Sequence, residues 1–179
     1  MEARAVVLPS WAIVSPGRRA HIERVTALLD AWSATMALST AEQQAWHDAG
    51  RWHDALRDAP LESLRAIGEP LDLPAEAWHG PAAAARLRDE GESRASVLEA
   101  IRWHTVGSAA WDATGRALYC ADFLEPGRRV KAERRAALAA AFPGDPEATL
   151  NAVAQLRQQW AARAGHAPHP STSSFLASL

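Results

Sequence analysis

Apolar residues recur at three- and four-residue spacing along most of this 179-residue chain, and this spacing restricts the fold more than any other feature. Residues 18–36 show it clearly, with apolar positions at Ile22, Val25, Leu28, Leu29 and Trp32. Such spacing is the pattern of an amphipathic helix. No segment shows the alternation that is typical of strands, so we predict an all-α fold of about seven helices.

Turn and capping residues divide the pattern into separate helices. Ser15-Pro16-Gly17 predicts the start of the first helix, and Ser39 or Thr40 caps a second helix that runs to about Leu56. Further helices are predicted over residues 61–67, 82–88, 93–104, 109–124, 132–142 and 146–164. We expect residues 1–164 to form a single domain. Residues 165–179, rich in Pro, Ser and His, are predicted to be a mobile tail in which His166 and His169 are solvated.

Composition limits the partners and the compartment. The formal net charge is -2, which argues against binding DNA or RNA through a broad basic field. A single cysteine, Cys120, excludes an intrachain disulfide and fits a reducing compartment. The short apolar run near the start is interrupted by Pro9 and is far too short to span a membrane. We therefore expect a cytoplasmic protein with a small ligand.

A histidine and an aspartate stand side by side in Arg51-Trp52-His53-Asp54, where the second predicted helix ends. The side chains of neighbouring helical residues point about 100° apart. His53 and Asp54 can therefore bind the same ion only if that ion lies in a cleft between them. Other residues of the same chemical kind are His21, His79, His104 and Asp122. Imidazoles and carboxylates without thiolate disfavour a structural zinc site and suit Fe²⁺, Mn²⁺, Co²⁺ or catalytic Zn²⁺. The sequence thus predicts a metal centre.

A second pair, His47-Asp48, precedes His53-Asp54 in the same predicted helix. The six-residue offset corresponds to about 240° of rotation, so the two pairs cannot share a face. Trp52 and Leu56 mark the inward side, which lies near His53-Asp54. We therefore predict that His47 and Asp48 are solvated.

Two divalent ions would fit the six candidate ligands. One carboxylate can give an oxygen to each of two ions, and Asp54 is the natural bridge. The first ion would be completed by His21, His53 and Asp122, and the second by His79 and His104. A water between the ions would lose its proton easily, and the pair would clamp both the attacking and the leaving oxygen of an in-line displacement at phosphorus.

The order of these residues resembles the YqeK branch of the HD-domain phosphohydrolases. The matching blocks, between about residues 15 and 130, are Arg18-x-x-His21, Ala49-Gly50-x-x-His53-Asp54, His79-Gly80, Ala100-Ile101-Arg102-x-His104-Thr105-x-Gly107 and Tyr119-x-Ala121-Asp122-x-x-Glu125-Pro126-x-Arg128. A lone His-Asp is weak evidence, whereas five blocks in order are specific. The resemblance implies an HD-type helical bundle with two divalent metal ions. It also implies symmetrical hydrolysis of diadenosine tetraphosphate to two ADP.

The resemblance implies the same six metal ligands, His21, His53, Asp54, His79, His104 and Asp122. We expect iron first, with Mn, Co or Zn as alternatives. Substrate-binding residues are less specific. A guanidinium can meet a phosphate through two parallel hydrogen bonds, so we predict that Arg18, Arg57 and Arg128 bind the polyphosphate, the alternative for each being a solvated surface residue. Arg57 replaces the family's usual lysine, which changes a point charge to a planar fork.

Several residues close in sequence to the proposed ligands are also expected to have a role at the site or in the core. Thr105 is predicted to orient a ligand or a water. The tryptophans Trp52, Trp78 and Trp103 each precede a proposed histidine ligand. Their rings either pack in the core behind the site or stack on an adenine of the substrate. Cys120 is predicted to be a buried small hydrophobe.

Two other functions remain open for the same residues. The protein could hydrolyse other nucleotides or phosphoesters, because one centre serves many substrates. It could also bind nucleotides as a regulator without turnover. A purely structural helical module would require six coincidences of residue type and order. In each functional case the partner is a small nucleotide rather than nucleic acid or a membrane, and a homodimer is compatible with the sequence.

Overall fold

The computed structural model describes residues 6–67, 72–163, 165 and 167–179. Within these residues nine α-helices and a short 3-10 helix follow one another, with no strand among them. The α-helices are α1 Pro16–Thr35, α2 Thr40–Trp52, α3 Leu61–Ala66, α4 His79–Asp89, α5 Ala95–Trp103, α6 Ala113–Leu124, α7 Ala132–Ala141, α8 Pro146–Arg163 and α9 Pro170–Ala177. The 3-10 helix is Ala75–Ala77. The predicted all-α class is confirmed, with more helices than the approximate number predicted.

The predicted caps define the first two helices. The Ser15 side chain accepts a hydrogen bond from the Arg18 amide at 3.2 Å, and Ser39 forms a capping box with Glu42. Helix α2 ends at Trp52 rather than at the predicted Leu56. The residues that follow form a turn, so the His-Asp pair lies just beyond the helix.

Helix α6 lies at the centre of the bundle and contacts α1, α2, α5, α7 and α8. Its residues Ala117, Leu118 and Ala121 have no exposed surface. Cys120 is also fully buried, as predicted. Burying these side chains removes apolar surface from water and so stabilises the fold. The carboxyl end of this central helix therefore gives Asp122 a rigid base.

The prediction that His47 and Asp48 are solvated is wrong. They are only 3% and 2% exposed. Asp48 accepts hydrogen bonds from Arg51 and Arg94, each at 2.7 Å, and His47 Nδ1 lies 3.0 Å from an Asp30 oxygen. The face that carries this pair packs against other charged groups rather than facing water, and buried charges of this kind need such partners.

The C-terminal residues differ from the predicted mobile tail. Residues Pro170–Ala177 form α9, and Phe175 is 1% exposed. A Cβ added at Gly107, whose φ is +92°, would lie 2.7 Å from the Phe175 ring. The helix is thus seated on the domain. The predicted boundary at residue 164 and the predicted position of His166 lie outside the described residues. The division into one domain and a tail stays a prediction.

The segment before α1 packs beside the turn that carries the His-Asp pair. The Ile13 amide donates to the Ala55 carbonyl at 2.8 Å, and the Ser15 amide donates to the Asp58 carboxylate at 2.7 Å. This segment therefore braces the turn from outside. In the part of the chain that the structure describes, no helix has the length and apolar character needed to cross a membrane.

Candidate metal centre

All six side chains predicted to bind metal lie together in the structure, in two groups of three. One group contains His21, His53 and Asp122, and the other contains Asp54, His79 and His104. Within each group, one potential ligand atom from every residue lies within 4.8 Å of the others. Residues from five separate helices or their ends thus converge on one place.

Close helix packing brings His79 and His104 together. His79 is the first residue of α4, and His104 follows the last residue of α5. Between them, a Cβ added at Gly80 would lie 2.7 Å from the Ile101 carbonyl oxygen and 3.2 Å from His104 Nδ1. The glycine therefore allows a backbone approach that a larger residue would block.

Asp54 belongs to the group with His79 and His104 and also lies beside the other group. Its Oδ1 is 3.0 Å from His79 Nε2 and 3.3 Å from His104 Nε2. Its Oδ2 is 3.5 Å from His53 Nε2 and 3.7 Å from His21 Nε2. Each carboxylate oxygen thus faces a different group, as a bridging ligand requires.

Three of the four imidazoles are oriented through Nδ1. The Nδ1 atoms of His53 and His104 lie 2.7 Å from the carbonyl oxygens of Gly50 and Ile101. A carbonyl oxygen can only accept, so in both rings Nδ1 carries the proton and Nε2 presents a lone pair. His21 Nδ1 lies 3.2 Å from Glu125 Oε1. Metal-binding histidines commonly show this arrangement, with the second ring nitrogen held by a carbonyl or a carboxylate.

The Nε2 atoms face one another at short distances. Those of His79 and His104 are 3.0 Å apart, and those of His53 and His21 are 3.4 Å apart. In each pair a proton on one nitrogen can be shared with the lone pair of the other, and a cation bound there would take the place of that proton. The donor set of four nitrogens and two carboxylates therefore fits a pair of divalent ions such as Fe²⁺, Mn²⁺, Co²⁺ or Zn²⁺.

Burial and neighbouring charges keep most ligands in the form that binds metal. Burial lowers the pKa of His53 to about 4 and also lowers the pKa of His79, so both rings stay neutral. Burial alone would raise the pKa values of Asp54 and Asp122. Neighbouring imidazoles, together with arginines near Asp122, instead hold both pKa values well below their usual range. Both carboxylates are therefore ionised.

His21 behaves differently because it lies between two carboxylates. Burial alone would lower its pKa, but hydrogen bonds with Asp122 and Glu125 raise the pKa to about 9. Its Nε2 lies 3.2 Å from Asp122 Oδ1. A cation that binds this ring must therefore displace a proton.

Glu125 was part of the quoted motif but was not predicted to have a role. It is 2% exposed and accepts hydrogen bonds from Arg24 Nε at 2.5 Å and from the Gly127 amide at 2.6 Å. Burial opposes ionisation, yet His21 and Arg24 lower the pKa of Glu125 to about 2. Glu125 follows Asp122 by three residues, and this spacing could have indicated that the two side chains lie close together.

Two of the predicted substrate arginines lie at the mouth of the centre. Arg18 Nη1 donates to Asp54 Oδ2 at 2.7 Å, and Arg128 Nη2 donates to Asp122 Oδ1 at 2.8 Å. Together with His21 they line an opening of about 360 Å³. Arg57 is half-buried in the turn that carries Asp54. The opening is thus lined by two arginines, with the carboxylate of Glu125 also among its walls.

Thr105 and a further arginine lie on another side of the centre. Thr105 Oγ1 is 3.3 Å from His104 Nε2. Arg157 on α8 contacts Asp122 Oδ2 at 3.5 Å, donates to the Thr105 carbonyl at 3.1 Å and lies 4.1 Å from the centre of the Tyr119 ring. Arg157 was not predicted, because it lies beyond the residues that carry the motif.

The three tryptophans beside the ligands are half-buried against the core, which favours the interpretation that their rings pack in the core behind the site. They are Trp52, Trp78 and Trp103. Trp78 donates its ring N–H to the Leu73 carbonyl at 2.8 Å. Trp103 donates to the Glu99 carboxylate at 2.9 Å.

Comparisons of the sequence found two similar curated proteins, both named symmetrical bis(5'-nucleosyl)-tetraphosphatase. The protein from Bacillus subtilis (strain 168) is 30% identical over 118 residues, which are 62% of this chain and 57% of the relative. The protein from Staphylococcus aureus (strain NCTC 8325 / PS 47) is 31% identical over 86 residues, which are 48% of this chain and 42% of the relative. The matched region therefore spans less than two thirds of either relative. No family model matches the sequence.

A solved structure has the same fold. It is a predicted HD superfamily hydrolase involved in NAD metabolism from Clostridium acetobutylicum, with a TM-score of 0.79 and 22% identity. The match covers 92% of this chain and 89% of the other, so the likeness extends over nearly the whole fold. The chain thus has the same fold as this predicted HD superfamily hydrolase and, over part of its length, is similar in sequence to two symmetrical bis(5'-nucleosyl)-tetraphosphatases.

Proposed function

We propose that the protein is a metal-dependent hydrolase that cleaves diadenosine tetraphosphate symmetrically, with one water consumed and two ADP formed. The observation that carries the proposal is the position of Asp54, whose two oxygens each face a different group of ligands. The name shared by the two curated relatives supports the substrate.

We propose that His21, His53 and Asp122 hold one divalent ion and that His79 and His104 hold a second, with Asp54 shared between them. Iron is the expected metal, with Mn, Co and Zn as alternatives. Ions held there would act as Lewis acids toward the phosphoryl oxygens and would supply the nucleophile at neutral pH. No protein side chain is assigned as a general base.

The charge of the residues suits a polyanionic substrate. Asp54 and Asp122 together contribute two negative charges against the four positive charges of two divalent ions, and the surplus attracts phosphate. Arg18 and Arg128 at the opening can each turn a planar guanidinium toward a phosphate oxygen. Arg157 adds a positive charge on the side of Thr105. Cationic groups on two sides are what a long polyphosphate chain requires.

Burial strengthens these interactions. His53, His79 and His104 are at most 3% exposed, so the floor of the site is largely shielded from water. Electrostatic attraction is stronger in such a site than in bulk solvent. The His53 and His104 rings are also held by backbone carbonyl oxygens, so these two rings need little reorganisation when a substrate binds.

We also propose a cytoplasmic location, in keeping with a single cysteine that is fully buried. The substrate partner would be a small nucleotide. The homodimer stays a prediction.

Turnover with defined metals tests the proposal. Purified protein would be mixed with diadenosine tetraphosphate and Fe²⁺, Mn²⁺ or Co²⁺ without oxygen, and the nucleotides would be separated by chromatography. We expect ADP as the only product. ATP with AMP would contradict symmetrical cleavage, faster hydrolysis of another nucleotide would identify a different substrate, and binding without any product would favour a regulator.

A matched pair of variants tests the role of Asp54. Asp54→Asn should abolish turnover and lower the metal content, because the amide carries no negative charge and its NH2 group cannot bind a cation. Asp58→Asn changes a carboxylate in the same turn that is not in either ligand group, and it should keep most of the activity. Equal rates for both variants would rule out the bridging role.

A further inference from the structure

Thr105 also lines a second cavity, whose walls include none of the six candidate metal ligands. The cavity has a volume of about 460 Å³, within the range of roughly 300–1,000 Å³ that is typical of small-ligand pockets. One wall is the end of α8, where Gln158, Ala161 and Ala162 share a helix face. The other walls are Pro74–Ala77 and the C-terminal segment, which we define as residues 167–172.

Hydrogen bonds hold the C-terminal segment in place against the loop after His104. Thr172 Oγ1 donates to the Val106 carbonyl at 2.7 Å, and Ser171 Oγ donates to the Gly107 carbonyl at 2.6 Å. His169 Nε2 lies 2.5 Å from the Asp72 carbonyl oxygen. The segment predicted to be a mobile tail is thus a fixed wall of the cavity.

The cavity and the candidate metal centre meet at Thr105. Its hydroxyl lies 3.3 Å from His104 Nε2, and its carbonyl accepts a hydrogen bond from Arg157 at 3.1 Å. Arg157 also contacts Asp122, and the next residue along α8, Gln158, lines the cavity. Neighbouring residues of α8 thus contact the candidate metal centre and line the cavity.

Charge orients such a ligand. Arg157 attracts phosphate at the end near the metal centre, whereas the carboxylate of Glu76 repels phosphate inside the cavity. Much of the remaining lining is apolar, with Ala161, Ala162 and Pro168 among its residues. An uncharged, flat group with a few polar edges suits these walls, and phosphate does not.

We propose that this cavity binds the nucleoside at one end of the polyphosphate substrate, with its phosphates directed past Arg157 toward the metal centre. The inference rests on the proposed function for the identity of the ligand. It makes the C-terminal segment part of the substrate site.

Filling the cavity tests the inference. Ala162→Trp and Gln158→Trp place a large ring in the cavity from exposed positions of α8, and Ala148→Trp places the same ring at an exposed position outside the cavity. Binding of ADP and of inorganic diphosphate would be measured by calorimetry in the presence of Mn²⁺, after circular dichroism has confirmed the helical content of each variant.

We expect both cavity variants to weaken ADP binding by about tenfold or more while inorganic diphosphate binding changes less than about twofold. Ala148→Trp should change neither. Unchanged ADP affinity in both cavity variants would overturn the inference. So would an equal loss of affinity for ADP and for diphosphate in these variants. Equal affinities of the parent protein for ADP and diphosphate would overturn it as well. Hydrolysis of diadenosine tetraphosphate is scored separately, so failure of the proposed function leaves this comparison intact.

Discussion

Replacing Gly80 by alanine should separate helix α4 from the end of α5 and disturb one ligand group. The added Cβ would lie 2.7 Å from the Ile101 carbonyl oxygen and 3.0 Å from the Arg102 carbonyl oxygen. Ordinary contact begins at 3.4 Å, and backbone atoms cannot move aside alone. The two helix ends must therefore shift by several tenths of an ångström.

The expected cost follows from two opposing effects. Alanine is favoured over glycine in a helix by about 1 kcal/mol, whereas overpacking typically costs about 1–3 kcal/mol. We expect a net loss of up to about 2 kcal/mol in the free energy of unfolding. The shift also changes the 3.0 Å separation of the His79 and His104 Nε2 atoms. A site tolerates displacements of only about 0.5 Å, so the ion beside these rings should be lost.

Urea unfolding and metal analysis would measure both effects. Gly17→Ala is the matched control for stability, because a Cβ at Gly17 meets no atom within 4 Å. We expect Gly80→Ala to retain one ion per chain where the parent retains two, and Gly17→Ala to be at least as stable as the parent. Two retained ions together with unchanged stability in Gly80→Ala would refute the role of this close approach.

Other substitutions test separate parts of the structure. Glu125→Gln keeps the size of the side chain but weakens its hold on His21 and Arg24, so metal affinity should fall by about 10- to 100-fold and the free energy of unfolding should fall as well; equal affinity in a metal titration would contradict this. Burial opposes ionisation of Asp48, yet hydrogen bonds lower its pKa. Its stabilising contribution is therefore complete above the unfolded-state pKa of about 3.9 and is lost as the pH falls further. Urea unfolding at pH 3 to 7 should show this loss for the parent and a smaller one for Asp48→Asn. Phe175→Ala should cost about 3–5 kcal/mol on unfolding by urea, whereas the exposed Ser174→Ala should change stability by less than about 0.5 kcal/mol. A neutral Phe175→Ala would mean that α9 contributes nothing to the core.

The sequence predicted the helical class and the six candidate ligands because both depend on local information. Helical spacing is repeated every turn, and the ligands stand in short blocks whose order can be recognised. The caps at Ser15 and Ser39 were also predicted, since a capping residue acts within three or four positions of itself. These features need no knowledge of what packs against them.

Features that depend on contacts between distant segments were missed. Periodicity correctly separated His47-Asp48 from His53-Asp54, but it could not show that Arg94 comes from another part of the chain to cover the first pair. The composition of the C-terminal residues could not predict that Phe175 is buried, because its packing site is formed by Gly107 and α6.

Arg157 and Glu125 were not predicted to have a role, yet they contact the candidate ligands Asp122 and His21. Asp122 contacts Arg128 from its own segment and Arg157 from α8. His21 is held by Glu125, which in turn is held by Arg24. The ligands fix where an ion can bind, and these surrounding charges fix the orientation and protonation of the ligands. Arg157 donates to the carbonyl of Thr105, which lines the cavity. Under the proposed function, we therefore expect the residues that distinguish one polyphosphate from another to lie on α8 and the C-terminal segment.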